Sequence, residues 1–204
     1  MVEVGAYIDG FNLYYGVKSK CGRKHLWLDV QSLVAGLLHP GQVLAHITYF
    51  TARFRDDENA VRLQTAYLDA LQRHCPLVTI VEGHFQEKLR VCNCCGTGWT
   101  DYEEKETDVS IATALIEDAV TDRYDVALLI SADSDLCPAV AATRRLRPRK
   151  KIVGVFPPGR HSSNLQRMVD GCKTLGLNKV RQAQLPDAIV VDDDVLLCRP
   201  REWT

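Results

Sequence analysis

Acidic side chains at three separated points could do chemistry together. Asp9 stands in Asp9-Gly10-Phe11-Asn12, Asp108 follows Lys105-Glu106-Thr107, and Asp133 and Asp135 lie in Ser131-Ala132-Asp133-Ser134-Asp135. Carboxylates gathered in one place repel one another unless protons or a cation neutralise them. Hard oxygen ligands in a partly open site suit Mg²⁺ or Mn²⁺, which keep several waters and take phosphate oxygens from a substrate. Such an ion polarises a phosphoryl group and lowers the pKa of a bound water. Asn12 adds a neutral donor and acceptor without adding charge. Any one Asp alone reads equally well as a turn former or helix cap. Three such positions, each just after a strand, point to a site.

Elements that must position these residues follow from apolar periodicity. Short apolar or β-branched runs predict strands over 2–8, 42–54, 76–85, 125–131 and 151–156. Helical spacing predicts helices over 28–38, 57–74, 108–120, 134–146 and 162–172, with Thr107 as the N-cap of the third. Alternation of this kind implies an α/β fold with a doubly wound, mostly parallel sheet flanked by helices. Ligands in such sheets bind beyond the carboxyl ends of the strands, where the aspartates fall. The pattern assigns residues 1–185 to one domain with a small cysteine-containing insert at 86–104. It leaves 186–204 as a peripheral tail.

Composition excludes other classes. The chain has 204 residues, 46% hydrophobic and 25% charged, which is globular rather than disordered, collagenous or coiled-coil. Net charge is −1, so a nucleic-acid partner would need a local basic patch. The N-terminus lacks a basic segment followed by an apolar one, and no apolar run is long enough to span a membrane. A cytoplasmic protein with reduced thiols is expected, so its cysteines are read first as metal ligands.

Cys92-Asn93-Cys94-Cys95-Gly96 holds a C-x-x-C pair followed by glycine, as in a zinc knuckle. Structural zinc takes four ligands, and there is no second such pair. His84, His74, Cys75, Cys94 and Cys21 are the candidates for completing it, with His84 first, to brace the insert and hold Asp108 in place. Cys137, Cys172 and Cys198 read as small apolar residues.

Three segments together, Ile8-Asp9-Gly10-Phe11-Asn12-Leu13-Tyr14, Lys105-Glu106-Thr107-Asp108-Val109 and Ile130-Ser131-Ala132-Asp133-Ser134-Asp135-Leu136, resemble the motifs of NYN domains, in particular the LabA-like branch of the PIN-like nuclease group. The resemblance spans about residues 1–172 in the right order. It implies a PIN-like fold and a Mg²⁺- or Mn²⁺-dependent ribonuclease. By motif position it assigns metal binding to Asp9, Asp108 and Asp133, a further acidic role to Asp135, and support to Asn12 and Ser131. One departure is Ala132, where the family often has glycine, a substitution that would strain a turn of positive φ.

RNA as partner needs cations. Arg144, Arg145, Arg147, Arg149, Lys150 and Lys151 cluster at the end of the helix that starts near Asp135, and so are expected at the far edge of the sheet. Arg160 and His161, after the strand 151–156, are better placed for phosphates. Tyr14, Tyr15 and Trp27 could stack on bases or fill the core. A homodimer is compatible with all of this. Two other readings compete: a non-catalytic RNA-binding module, and a haloacid-dehalogenase-like phosphatase, which needs a second Asp where Phe11 stands.

Overall fold

The computed structural model describes residues 1–55, 57–192 and 195–203, with the side chains of 101–104, 191–192 and 195–196 left out. Asp193 and Asp194 of the tail lie outside the described residues. Strand β1 (Val2–Asp9) leads through α1 (Gly10–Cys21) and α2 (Val30–Ala35) to β2 (Gln42–Ala52), then through α3 (Glu58–His74) to β3 (Val78–Val91). A hairpin returns as β4 (Gly98–Lys105) into α4 (Thr107–Val120) and β5 (Val126–Ile130). Next come α5 (Cys137–Leu146), β6 (Lys151–Phe156), α6 (Ser163–Met168), β7 (Gly171–Thr174) and α7 (Leu177–Gln182). Strands β8 (Ala188–Asp192) and β9 (Val195–Cys198) pair separately.

The main sheet has the order β4-β3-β2-β1-β5-β6-β7, and all its pairs are parallel except β3 with β4. Successive strands move outward one way from β1 to β3 and the other way from β5 to β7. The order therefore reverses between β1 and β5, which opens a crevice at their carboxyl ends. Strand β1 is buried on both faces, hence its nearly continuous apolar run. Val4, Ala6 and Ile8 enter one core with Leu13, Leu33 and Leu68, whereas Tyr7 enters the other with Ile111, Leu115 and Val140. One polar tie lies within the second layer. Tyr7 donates to Asp118 Oδ2 at 2.7 Å, His46 Nε2 lies 3.2 Å from the same oxygen, and Arg123 reaches Oδ1 at 3.0 Å. Among the described residues no helix is long and apolar enough to cross a membrane.

Four local expectations change. The segment 162–172 is not one helix: α6 stops at Met168 and Gly171 opens β7, because this stretch pairs with the sheet edge. Asp170 secures the break by accepting from Ile152 N–H at 2.9 Å. Thr107 is not a cap. It is the buried first residue of α4, its hydroxyl lacks a hydrogen-bond partner, and Glu106 precedes it in a left-handed conformation (φ 77°). The insert is not loop-like, since β3 runs on to Val91 and β4 pairs with it from Lys105 back to Gly98. Cys172 and Cys198 are exposed rather than packed as small apolar residues.

The tail, expected to be peripheral, packs into the first core. Trp203 is 4% exposed and meets Trp27 and Tyr67 at 6.2 and 5.9 Å between ring centroids. Trp27 Nε1 donates to the Pro186 carbonyl at 2.8 Å, so this ring is core and not a base-stacking platform. Arg199 ties the tail back to the Lys24 carbonyl at 2.8 Å, and Arg62 pairs with Glu202. Sequence periodicity misses this contact because two-strand hairpins and single tryptophans carry little pattern. Trp203→Ala should therefore destabilise the fold by about 3 kcal/mol, read from urea unfolding. A loss under about 0.5 kcal/mol, the range of an ordinary surface substitution, would mean that the tail does not contribute to the core.

Candidate active site

Asp9 ends β1, and α1 begins at the next residue with no intervening loop. It is the N-cap of α1, with Oδ1 accepting from Asn12 N–H at 2.8 Å. A residue-10 side chain would sit 2.6 Å from the Phe50 carbonyl oxygen and 2.8 Å from the Tyr49 ring, so only glycine lets the chain turn here. The second carboxylate oxygen of Asp9 accepts from Ser131 Oγ at 2.9 Å. Ser131, just past β5 and fully buried, accepts in turn from Asp133 N–H at 3.0 Å. Asp133 Oδ1 takes the Asp135 N–H at 2.9 Å and caps the short 3-10 turn Ser134–Leu136. Asn12 closes the web, its Oδ1 accepting from Ala132 N–H at 3.2 Å. Ala132 has no positive φ, so the departure from glycine at this position costs no backbone strain.

Asp108 arrives by a different route. Strand β3 leaves β2 after Gly83, and β4 returns alongside its outer half until Lys105 faces His84. The chain thus re-enters at the carboxyl edge of the parallel strands, and α4 starts there. A Cβ at residue 83 would stand 2.6 Å from the Lys105 carbonyl oxygen, so the return again depends on glycine. His84 Nδ1 lies 3.1 Å from Glu106 Oε2 across this junction.

Electrostatics link the three motifs. Burial pushes the Asp9 carboxyl up, against the opposing pull of its bonds from Asn12 and Ser131. Desolvation by its surroundings, then the charges of Asp133, Asp9 and Asp135, pushes Asp108 up to about 6, although its outer face stays open to water and its screening. Oxygen donors sharing excess negative charge are what Mg²⁺ or Mn²⁺ takes up. Among the described residues no group of three or more His, Cys, Asp or Glu side chains is placed to hold a metal ion, so Asp9, Asp108 and Asp133 are not gathered into a metal-binding set as they stand.

Other sequence candidates separate by edge. Arg160 lies at the carboxylate edge, its guanidinium 5.9 Å from the Tyr15 ring centre. His161 is exposed and paired with Gln166 at 2.8 Å. Arg144 and Arg145 end α5 at the opposite edge, away from the carboxylates. There Arg144 donates to the Met168 carbonyl at 2.6 Å, Arg147 to the Val120 carbonyl at 2.6 Å, and Lys151 lies 3.3 Å from Asp170. Sequence reading missed an aromatic wall beside Asp9: Phe11 meets Phe54 and Phe85 at 5.6 and 6.1 Å and stacks on Tyr15. These phenylalanines sit at or past the ends of β1, β2 and the parallel part of β3, so the strand-end filter applied to the aspartates would have found them.

His84 is not a partner for the C-x-x-C pair. It sits at the base of the arm and Cys92 at the tip, eight residues of extended strand away, or about 26 Å. Cys75 is buried with its thiol on Asp29 Oδ1 at 3.4 Å, and His74 Nε2 lies 3.7 Å from the same carboxylate. Both belong to the α2–α3 junction.

An acid held above its unfolded range binds its proton more tightly when folded, so this group's stabilising contribution falls as pH rises from about 4 to about 6. Carbon-13 NMR of the metal-free protein should show Asp108 titrating at about 6, and Asp133→Asn should lower that midpoint. An ordinary midpoint in the wild type would deny the coupling.

A protein-family model, the NYN domain, matches residues 3–175. A relative from Pseudomonas putida (strain DSM 28022 / S16), named 6-hydroxy-3-succinoylpyridine 3-monooxygenase, is 28% identical, the match covering 68% of this chain. It spans only 54% of that relative's length. A crystal structure of a protein of unknown function from Vibrio parahaemolyticus RIMD 2210633 superposes with a TM-score of 0.58 at 18% identity, covering 86% of this chain and 93% of that one. At that identity the likeness concerns the fold alone. With the family motifs in order and the switch-point site between them, this chain belongs to the NYN domain family, whose fold is of the PIN-like nuclease type.

Proposed function

We propose that this protein is a divalent-metal-dependent endoribonuclease that hydrolyses phosphodiester bonds in RNA. The observation that carries the reading is the hydrogen-bonded web Asn12–Asp9–Ser131–Asp133 at the switch point, with Asp108 electrostatically coupled to it. Asp9, Asp108 and Asp133 would hold a Mg²⁺ or Mn²⁺ ion. That ion supplies charge neutralisation at the scissile phosphate and lowers the pKa of the attacking water. Asp9 is pre-set for this task, because two donors fix its rotamer and leave a second lone pair on each oxygen. Asn12 spends its carbonyl on Ala132 and its side chain also bonds Asp9, so one N–H of its amide would remain for a phosphate oxygen. Asp135 would orient the attacking water. Arg160 and the Phe11–Tyr15 stack supply charge and an aromatic face for an unpaired nucleotide. A pure binding module would gain by losing these carboxylates near phosphate, which argues against the non-catalytic reading.

A second reading has its own observation. A cavity of about 280 Å³ adjoins Asp9, lined by Phe11, Tyr15, Tyr49 and Phe54 with Lys18 and Arg23. The relative's name describes a monooxygenase acting on a substituted pyridine, a flat ring of a size for such walls. Calorimetry with pyridine-3-carboxylate tests this reading. Saturable binding by a protein that cleaves no RNA would favour it.

Labelled single-stranded and structured RNA should be cut with Mg²⁺ or Mn²⁺ and spared in EDTA. Asp9→Ala and Asp133→Ala should abolish cleavage while circular dichroism stays native. Wild-type cutting by both variants would overturn the nuclease reading. Ser131→Ala keeps every carboxylate but unties Asp9 from Asp133, so activity should drop roughly 10- to 100-fold.

A further inference from the structure

The tip of the β3–β4 arm plays no part in the carboxylate site, yet it is built. Cys92 N–H donates to the Thr97 carbonyl at 2.8 Å, and Gly96 N–H donates to the Cys92 carbonyl at 2.9 Å. Gly96 takes φ 71°, a left-handed conformation that other residues rarely adopt. This turn brings Cys92 and Cys95 into side-chain hydrogen-bond contact, and Cys95 Sγ also lies 3.2 Å from Thr97 Oγ1. Two sulfurs on one tetrahedral zinc, each about 2.3 Å from it, stand about 3.8 Å apart, so touching thiols need little rearrangement.

Two thiolates make half of a structural zinc shell, and the described residues do not supply the other half. Among the described residues no third His, Cys, Asp or Glu completes a set, and His84 lies at the far end of the arm. The tip is solvent-exposed from Asn93 to Thr100. Beside it a thin two-stranded arm exposes large apolar side chains, Leu89 at 74%, Val91 at 56% and Trp99 at 50%. A second arm related by a twofold axis would present the identical cysteine pair and cover these side chains, as an isologous contact does. We infer that Cys92 and Cys95 are half of a four-thiolate zinc site completed by the same pair of a second copy of this chain. The ion and the apolar flanks then join two nuclease-type domains tip to tip. This inference is independent of the nuclease reading.

The full chain, reduced and stripped of metal, is titrated with Co²⁺ and with Zn²⁺ in an Asp9→Ala/Asp133→Ala background, which confines ions to the thiols. Absorbance reports thiolate-to-cobalt charge transfer and light scattering reports mass. One ion per two chains should bind, with the charge-transfer band and a doubling of mass that a chelator reverses. Cys92→Ser and Cys95→Ser should each lose band and dimer while staying folded, whereas Cys94→Ser should keep both. One ion per chain in a monomer, a dimer indifferent to chelation, or a Cys92–Cys95 disulfide that takes up no metal after reduction would each overturn the inference.

Discussion

The Ser131 hydroxyl holds together the two halves of a doubly wound sheet where their chain directions diverge. It donates to Asp9 at the end of β1 and accepts from Asp133 beyond β5, residues more than a hundred positions apart in sequence. Being fully buried, it cannot trade these bonds for water, and leaving either partner unmet would cost on the order of 1–3 kcal/mol. Strand order, the abrupt start of α1, and the cap on the 3-10 turn all converge on that one group. Without the Ser131 hydroxyl, Asp9 would be left buried and short of a donor.

Asp108 depends on a different constraint, close backbone approach. An arm that goes out along β3 and back along β4 adds a long excursion without changing where α4 starts. The junction works because Gly83 lets the Lys105 carbonyl come within a distance no Cβ would allow, and because Glu106 turns through a left-handed conformation. Thr107, buried beside this junction with an unpartnered hydroxyl, shows that the turn is held by packing rather than by capping. The arm thus lies outside the carboxylate web and contributes only its return to where α4 starts.

Charge is sorted by edge. Carboxylates collect at the carboxyl ends of the strands, and the run Arg144–Lys151 collects at the amino ends, where Asp122, Asp125 and Asp170 partly neutralise it. A net charge of −1 is the sum of these two surpluses and says little about either. At the carboxylate edge Lys18 and Arg160 flank the Tyr15 ring.

Much was legible in the chain alone where the cause is local. Apolar runs and helical spacing produced most strands and helices, since burial on both faces of a parallel sheet writes itself directly into composition. Aspartates after strands marked the edge where the carboxylate web forms, since strand ends in such folds face the crevice. Only tertiary structure decided the rest. Gly171–Thr174 became a strand because an open sheet edge lay beside it, and the tail became core because Trp203 found Trp27 and Tyr67. His84 parted from the cysteines because an extended strand carries eight residues too far for any ligand sphere. Periodicity reports which face of an element is buried. It does not report which distant element covers it, because that contact depends on the path of the whole chain.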